Sequence, residues 1–221
     1  MTDETIIALR GAVKYFELAA AVTGIGYWSK WKNSPVKYFI IYLAVIAAAE
    51  FTGNMMGNAN LSVLKNYWYK LFVLPFEFLF LAFFFWKHVV SGPGKNLIPV
   101  MALIYAGSFI IEGLFLDYPT LPFSSFSYSI ANILLLLMII MYYKRLVNSE
   151  KLIFFYKEPF FWIVTGLLIF YLGSFPYYLL FNMLVNKFYE EIYLPFQVIV
   201  ICLNYIMYAI FIFTFIWTKP R

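Results

Sequence analysis

Four glutamates, Glu17, Glu50, Glu77 and Glu112, stand inside long apolar stretches of the chain. A carboxyl group can hold, release or pass a proton, or balance a cationic ligand. An ionised side chain at mid-bilayer costs at least about 2.5–3.5 kcal/mol on insertion scales. Four unpaired charges would cost on the order of 10 kcal/mol, comparable to the whole stability of a typical domain. Each must therefore face a bundle interior, be paired, or keep its proton.

The spacing around them favours inward faces. Gly53, Asn54 and Gly57 follow Glu50 at i+3, i+4 and i+7, which makes one small, polar stripe on a helix. Arg10, Lys14 and Glu17 share a face by the same rule, and Lys14 with Glu17 is the expected structural ion pair. Lys70 and Glu77 are seven apart, and Ser108 and Glu112 four apart. Gln197, Asn204 and Tyr208 form a stripe near the C-terminus, while Asn132, Ser174 and Asn182 add further polar positions. Glu50, Glu77, Glu112, Asn54, Gln197 and Asn132 are thus the candidates for binding a ligand or proton. They are expected to line a polar cavity that opens outward over an apolar cytoplasmic half.

Other chemistry is sparse. The only histidine, His88, falls at a predicted helix end, and the single cysteine, Cys202, excludes an intrachain disulfide. Ser91-Gly92-Pro93-Gly94-Lys95 lacks the spacing of a phosphate loop and reads as a turn. No catalytic residue, metal site or cofactor is assigned, and a metal would have to be held by carboxylates alone.

The elements that must position these groups follow from composition. Of 221 residues, 64% are hydrophobic and only 12% charged, against roughly a quarter charged in a soluble domain. A water-soluble enzyme is excluded, and so is disorder. Seven stretches reach the roughly 20 residues that a helix needs to cross a bilayer: 5–28, 36–57, 66–88, 97–116, 124–146, 159–184 and 192–218. Turn-forming residues separate them, among them Lys32-Asn33-Ser34-Pro35, Gly57-Asn58-Ala59-Asn60, Asp117-Tyr118-Pro119 and Asn148-Ser149-Glu150. The apolar runs are continuous rather than alternating, which argues against a barrel. The expected fold is a single all-α, seven-span transmembrane bundle covering 1–221.

Eleven of the 16 basic residues fall on one side of such a bundle, which predicts an outside N-terminus and a cytoplasmic C-terminus. The net charge of +5 then reflects topology, not nucleic-acid binding. The expected partners are the lipid bilayer, a small molecule and, for some functions, a second protein or further copies of the chain. The charge bias points to a plasma or inner cell membrane.

The chain also echoes itself. Leu74-Pro75-Phe76-Glu77 recurs as Leu194-Pro195-Phe196-Gln197, and at the same offset of 120 Gly53 meets Gly173, Asn66 meets Asn186 and Tyr69 meets Tyr189. The pattern suggests spans 1–3 repeated as spans 5–7, with span 4 as the inverting linker. This 3+1+3 order resembles the SWEET and PQ-loop sugar-transporter architecture. The chain has no Pro-Gln pair, and its matched prolines sit in the third helix of each half, so no functional residue is carried over. The seven-helix plan is also similar to that of microbial rhodopsins, but residues 192–218 contain no lysine for a retinal Schiff base. Leu74-Pro75-Phe76-Glu77 is similar to the Pro-x-Glu motif of small membrane carotenoid cyclases, with Phe78 where those carry a second acid.

Three functions fit these features. A small-solute transporter is the leading one, drawing on the repeat, the buried acids and the helix prolines Pro75, Pro176 and Pro195. A seven-helix sensor acting through a partner protein is the second. An intramembrane acid–base enzyme on a lipid or isoprenoid substrate is the third.

Overall fold

The computed structural model describes residues 3–90, 92–116, 125–181, 184 and 192–220. Among them every regular element is helical and no strand occurs. In chain order the helices are α1 (Asp3–Gly26) and the single turn α2 (Trp28–Trp31), then α3 (Val36–Asn58), α4 (Ser62–Val89) and α5 (Gly94–Phe115). α6 (Ser125–Val147), α7 (Pro159–Leu179) and α8 (Leu194–Trp217) follow. Six of these, α3 to α8, are long and apolar enough to cross a membrane, which marks a multi-pass helical membrane protein. α1 is as long, at 24 residues, but Arg10, Lys14 and Glu17 interrupt its apolar run.

Most ends lie within a few residues of those expected. α4 begins at Ser62, four residues ahead of expectation, because the preceding helix stops abruptly. Asn60 turns left-handed (φ 59°), a conformation that asparagine tolerates. The Leu61 and Asn60 amides then donate back to Met56 O (2.9 Å) and Gly57 O (3.1 Å), the paired bonds of a Schellman stop. α7 ends at Leu179, three residues past Pro176, instead of reaching 184. Asn182, Asn186, Tyr189 and the Asp117-Tyr118-Pro119 break lie outside the described residues.

The helices pack largely in chain order. α1 packs on α3, α3 on α4, α4 on α5, and so on to α8, which returns to pack on α1; α4 also touches α6. In lipid, such association rests on close packing and interhelical hydrogen bonds rather than on expelling water. Phe39, Phe84, Phe85, Phe211 and Phe215 are sealed in the shared interior. The ring is tied at one end by α2. Lys30 Nζ donates to Phe215 O (2.9 Å) and Ile216 O (2.8 Å), and Trp31 Nε1 donates to Phe215 O (3.2 Å). These bonds satisfy carbonyls that the end of α8 would leave bare. Burial and the neighbouring Lys219 hold the Lys30 ammonium below its ordinary pKa.

α4 is not uniform. Tyr69–Val73 forms a π-helical turn directly before Leu74-Pro75. Proline brings no N–H and its ring crowds the carbonyl four residues back, and a widened turn accommodates both. Ile192 and Tyr193 adopt the same π conformation directly before Leu194-Pro195. The two copies of the Leu-Pro-Phe echo therefore begin their α-helical segments in the same way.

Candidate functional site

Three of the four glutamates converge. Each comes from a different helix and each meets tyrosine from another. On α3, Glu50 accepts a hydrogen bond at Oε2 from the Tyr69 hydroxyl of α4 (2.6 Å). On α4, Glu77 accepts at Oε1 from the Tyr171 hydroxyl of α7 (2.6 Å), and Tyr42 of α3 also reaches it. On α1, Glu17 is 3% exposed and lies against Tyr208 of α8, with its Oε1 unpartnered. The charges of Glu50 and Glu77 are both felt by Glu17, and that of Glu50 by Glu77. One centre thus draws on five helices.

The local sequence explains how each partner arrives. Gly53 sits one turn beyond Glu50 and leaves the surface of α3 bare, so the ring of Tyr69 lies directly on it. Tyr69 opens the π turn that Pro75 demands, and Trp68 beside it donates from Nε1 to Ala49 O (3.1 Å). The same proline that distorts α4 stands two residues before Glu77.

The centre has an uneven electrical setting. Lys65, Arg10 and Lys14 act on Glu50 from the end of the bundle that carries the α3–α4 connection. About two helical turns of α3 separate Glu50 from that end, whereas Glu77 is about four turns of α4 away from it. Positive charge therefore reaches Glu50 first and fades toward Glu77.

Beside Glu77 is a hollow of about 10 Å³, lined by Asn132, Tyr128 and Tyr171. Such a volume admits about one water molecule. Asn132 is 1% exposed, and neither atom of its amide has a protein partner. A buried amide without hydrogen bonds is costly, so this corner of the centre is suited to a small polar guest. Ser174, fully buried, has an unpartnered hydroxyl as well.

Other expectations need correction. Lys14 and Glu17 do not form an ion pair. Lys14 Nζ lies 5.2 Å from the Tyr15 ring centroid and 6.0 Å from that of Phe51, while Glu17 turns inward to Tyr208. An ammonium on a flexible stem moves toward the helix end and takes aromatic faces, which the shorter carboxylate cannot follow. Glu112 is not part of the centre. It accepts from the Phe126 amide (3.2 Å), the Ser127 amide (2.9 Å) and the Ser127 hydroxyl, so it caps the start of α6. Asn54 donates to Glu50 O of its own helix (2.9 Å). Gln197 is buried at the start of α8, and no described contact ties it to the carboxylates. The wide hollow also lies elsewhere: about 390 Å³ opens at the opposite end, beside the α2–α3 and α6–α7 connections, instead of among the acids.

Apart from Tyr208 in its polar stripe and Tyr69 in the internal echo, the tyrosines are residues that spacing did not single out. With 19 in the chain, no one of them stands out by type. The usable signal was Gly53, which marks where a bulky group from another helix must lie.

Among the described residues, no group of three or more histidine, cysteine, aspartate or glutamate side chains is gathered tightly enough for a metal ion. The arrangement can hold protons and pass them between carboxyl and hydroxyl groups. Compared with known proteins, the chain matches no family model, and no curated protein or solved structure is significantly similar to it.

Proposed function

We propose that this membrane protein is a proton-linked small-solute transporter whose coupling centre is Glu17, Glu50 and Glu77 with their tyrosine partners. The observation that carries the reading is the convergence of three carboxyl groups from three helices in a dry interior. Three negative charges so placed repel one another, and water does not screen them. The centre therefore shares protons, and its proton count changes when a solute or a helix movement alters the spacing. The hollow beside Glu77 and Asn132 takes part of the route as a bound water.

In this reading α1 is a seventh span. Its charged residues are acceptable in a membrane because they face neighbouring helices or reach the surface. The basic excess at the α2 end supports a cytoplasmic position for that end and for the C-terminus, with the N-terminus outside a plasma or inner membrane. The shared π-to-α starts at Leu74-Pro75 and Leu194-Pro195, with the close-approach glycines Gly53 and Gly173, support a 3+1+3 origin.

The test is proton movement in proteoliposomes carrying an interior pH dye, under an imposed pH gradient and with a panel of sugars, amino acids and organic cations. A solute-dependent flux that falls at least tenfold in Glu77→Gln and in Glu50→Gln supports transport. Equal flux in wild type and both variants overturns it. Stabilisation by a solute without flux transfers the same centre to a sensor. A changed lipid product on expression, reverted by Glu77→Gln, transfers it to an enzyme.

A further inference from the structure

The carboxylate centre makes no use of a much wider hollow in the bundle. It lies at the other end, where the α2–α3, α4–α5 and α6–α7 connections meet, and measures about 390 Å³. That falls in the size range of small-molecule sites. Its wall is chemically specific: Arg145, His88, Ser34, Tyr142, Ser149 and Glu158 supply the polar groups, with Pro35, Val89, Leu146, Pro159 and Phe160 between them.

One positive group in this wall, Arg145, is uncommitted. Arg145 sits in the last turn of α6 and forms no salt bridge or hydrogen bond among the described residues. Its guanidinium is held beside Gly92, which turns left-handed (φ 90°); a Cβ there would stand 3.6 Å from Arg145 Nη1. The turn that the sequence reads as punctuation therefore brings backbone up to the guanidinium. His88 is fixed as a plate by Tyr38, whose ring stacks on it at 5.1 Å, and its Nε2 is unpartnered. Lys87 and Lys95 act on His88 from the rim. Eleven basic residues and only two acids, Glu150 and Glu158, fall at this end of the chain's topology. Glu158, buried in the same wall, is the one acid that faces the hollow, and it is itself engaged with another residue.

We propose that this hollow binds a phosphate-bearing anion. Arg145 offers the forked pair of donors that matches phosphate oxygens. His88, Tyr142 and the Ser34 hydroxyl offer single donors around it, and the lysines raise the local concentration of anions. Phosphate fits better than a carboxylate because the donors come from three directions, the α2–α3 connection, α4 and α6, around one volume. Two sources present this chemistry at such a surface: a soluble phosphate ester, and the headgroup of an anionic lipid entering between helix ends. The proposal does not depend on the transport reading, since none of its residues belongs to the carboxylate centre.

The test uses the full-length protein in nanodiscs of phosphatidylcholine. Inorganic phosphate and glycerol phosphate are titrated against the melting temperature and followed by ³¹P NMR. A second set of discs carries phosphatidylglycerol, and retained lipids are counted by native mass spectrometry. Either soluble binding or selective retention of phosphatidylglycerol supports the site and names its source. Arg145→Ala should weaken that binding at least tenfold and His88→Gln less, whereas Lys144→Ala, whose side chain is outside the hollow, should leave it within twofold. Should Arg145→Ala melt as wild type without ligand yet bind equally well, the proposal is overturned. It is equally overturned if neither phosphate nor phosphatidylglycerol binds.

Discussion

A Cβ on Gly53 would stand 2.7 Å from the ring and hydroxyl of Tyr69, so the glycine and the tyrosine are fitted to one another across the α3–α4 contact. The Tyr69–Glu50 hydrogen bond depends on that fit, because it requires the hydroxyl end of the ring to lie against α3 at Gly53. Gly53→Ala is expected to displace the ring and break the bond together. The overpacking should cost about 1–3 kcal/mol. Tyr69→Phe removes only the hydroxyl and should cost about 0.5–1.5 kcal/mol. Thermal melts of the purified protein in one detergent compare the two; a smaller loss in Gly53→Ala than in Tyr69→Phe would contradict the fit.

Glu112 separates architecture from chemistry. It collects two backbone amides and a hydroxyl at the first turn of α6 and has no described contact with Glu17, Glu50 or Glu77. Glu112→Ala should lower stability by about 0.5–2 kcal/mol, the usual cost of losing a cap. Solute-dependent proton flux, measured below the new melting temperature, should remain within twofold of wild type. A tenfold loss of flux would return Glu112 to the centre.

Asn132 is expected to behave in the opposite way. Its amide is buried without a protein partner, so an apolar side chain of similar bulk removes a burden. Asn132→Leu should hold or raise the melting temperature, yet slow proton movement severalfold by drying the hollow beside Glu77. In infrared spectra, the carboxyl stretch of Glu77, assigned by its loss in Glu77→Gln, should shift in Asn132→Leu. An unchanged band with unchanged flux would remove the hollow from the route.

What the residues alone revealed divides along physical lines. Helix ends depend on runs of apolar side chains, a local property, so residues 36–57 and 124–146 nearly match α3 and α6, whereas only six of the seven expected spans are apolar enough to cross a membrane. The proline-linked echo was also visible as text, and the π turns give it a local counterpart. The inward placement of Glu17, Glu50 and Glu77 followed from the cost of charge in lipid. Partnership did not, because it is decided between helices. Lys14 and Glu17 are neighbours by spacing, but the flexible ammonium found aromatic rings and the carboxyl found Tyr208 on a helix nearly two hundred residues away. Glu112 read like the other acids, since nothing in its own helix announces that the amides of Phe126 and Ser127 will face it.

The closure of α8 on α1 has a consequence for biosynthesis. Tyr205 donates to Leu9 O (2.6 Å) across 196 positions, and Lys30 grips the far end of the same helix. While the ribosome is still extending the chain, Glu17 lacks its tyrosine and the first connection grips nothing. In a chain made from its N-terminus, the buried Glu17 therefore gains its tyrosine only when α8 docks on α1 and closes the ring.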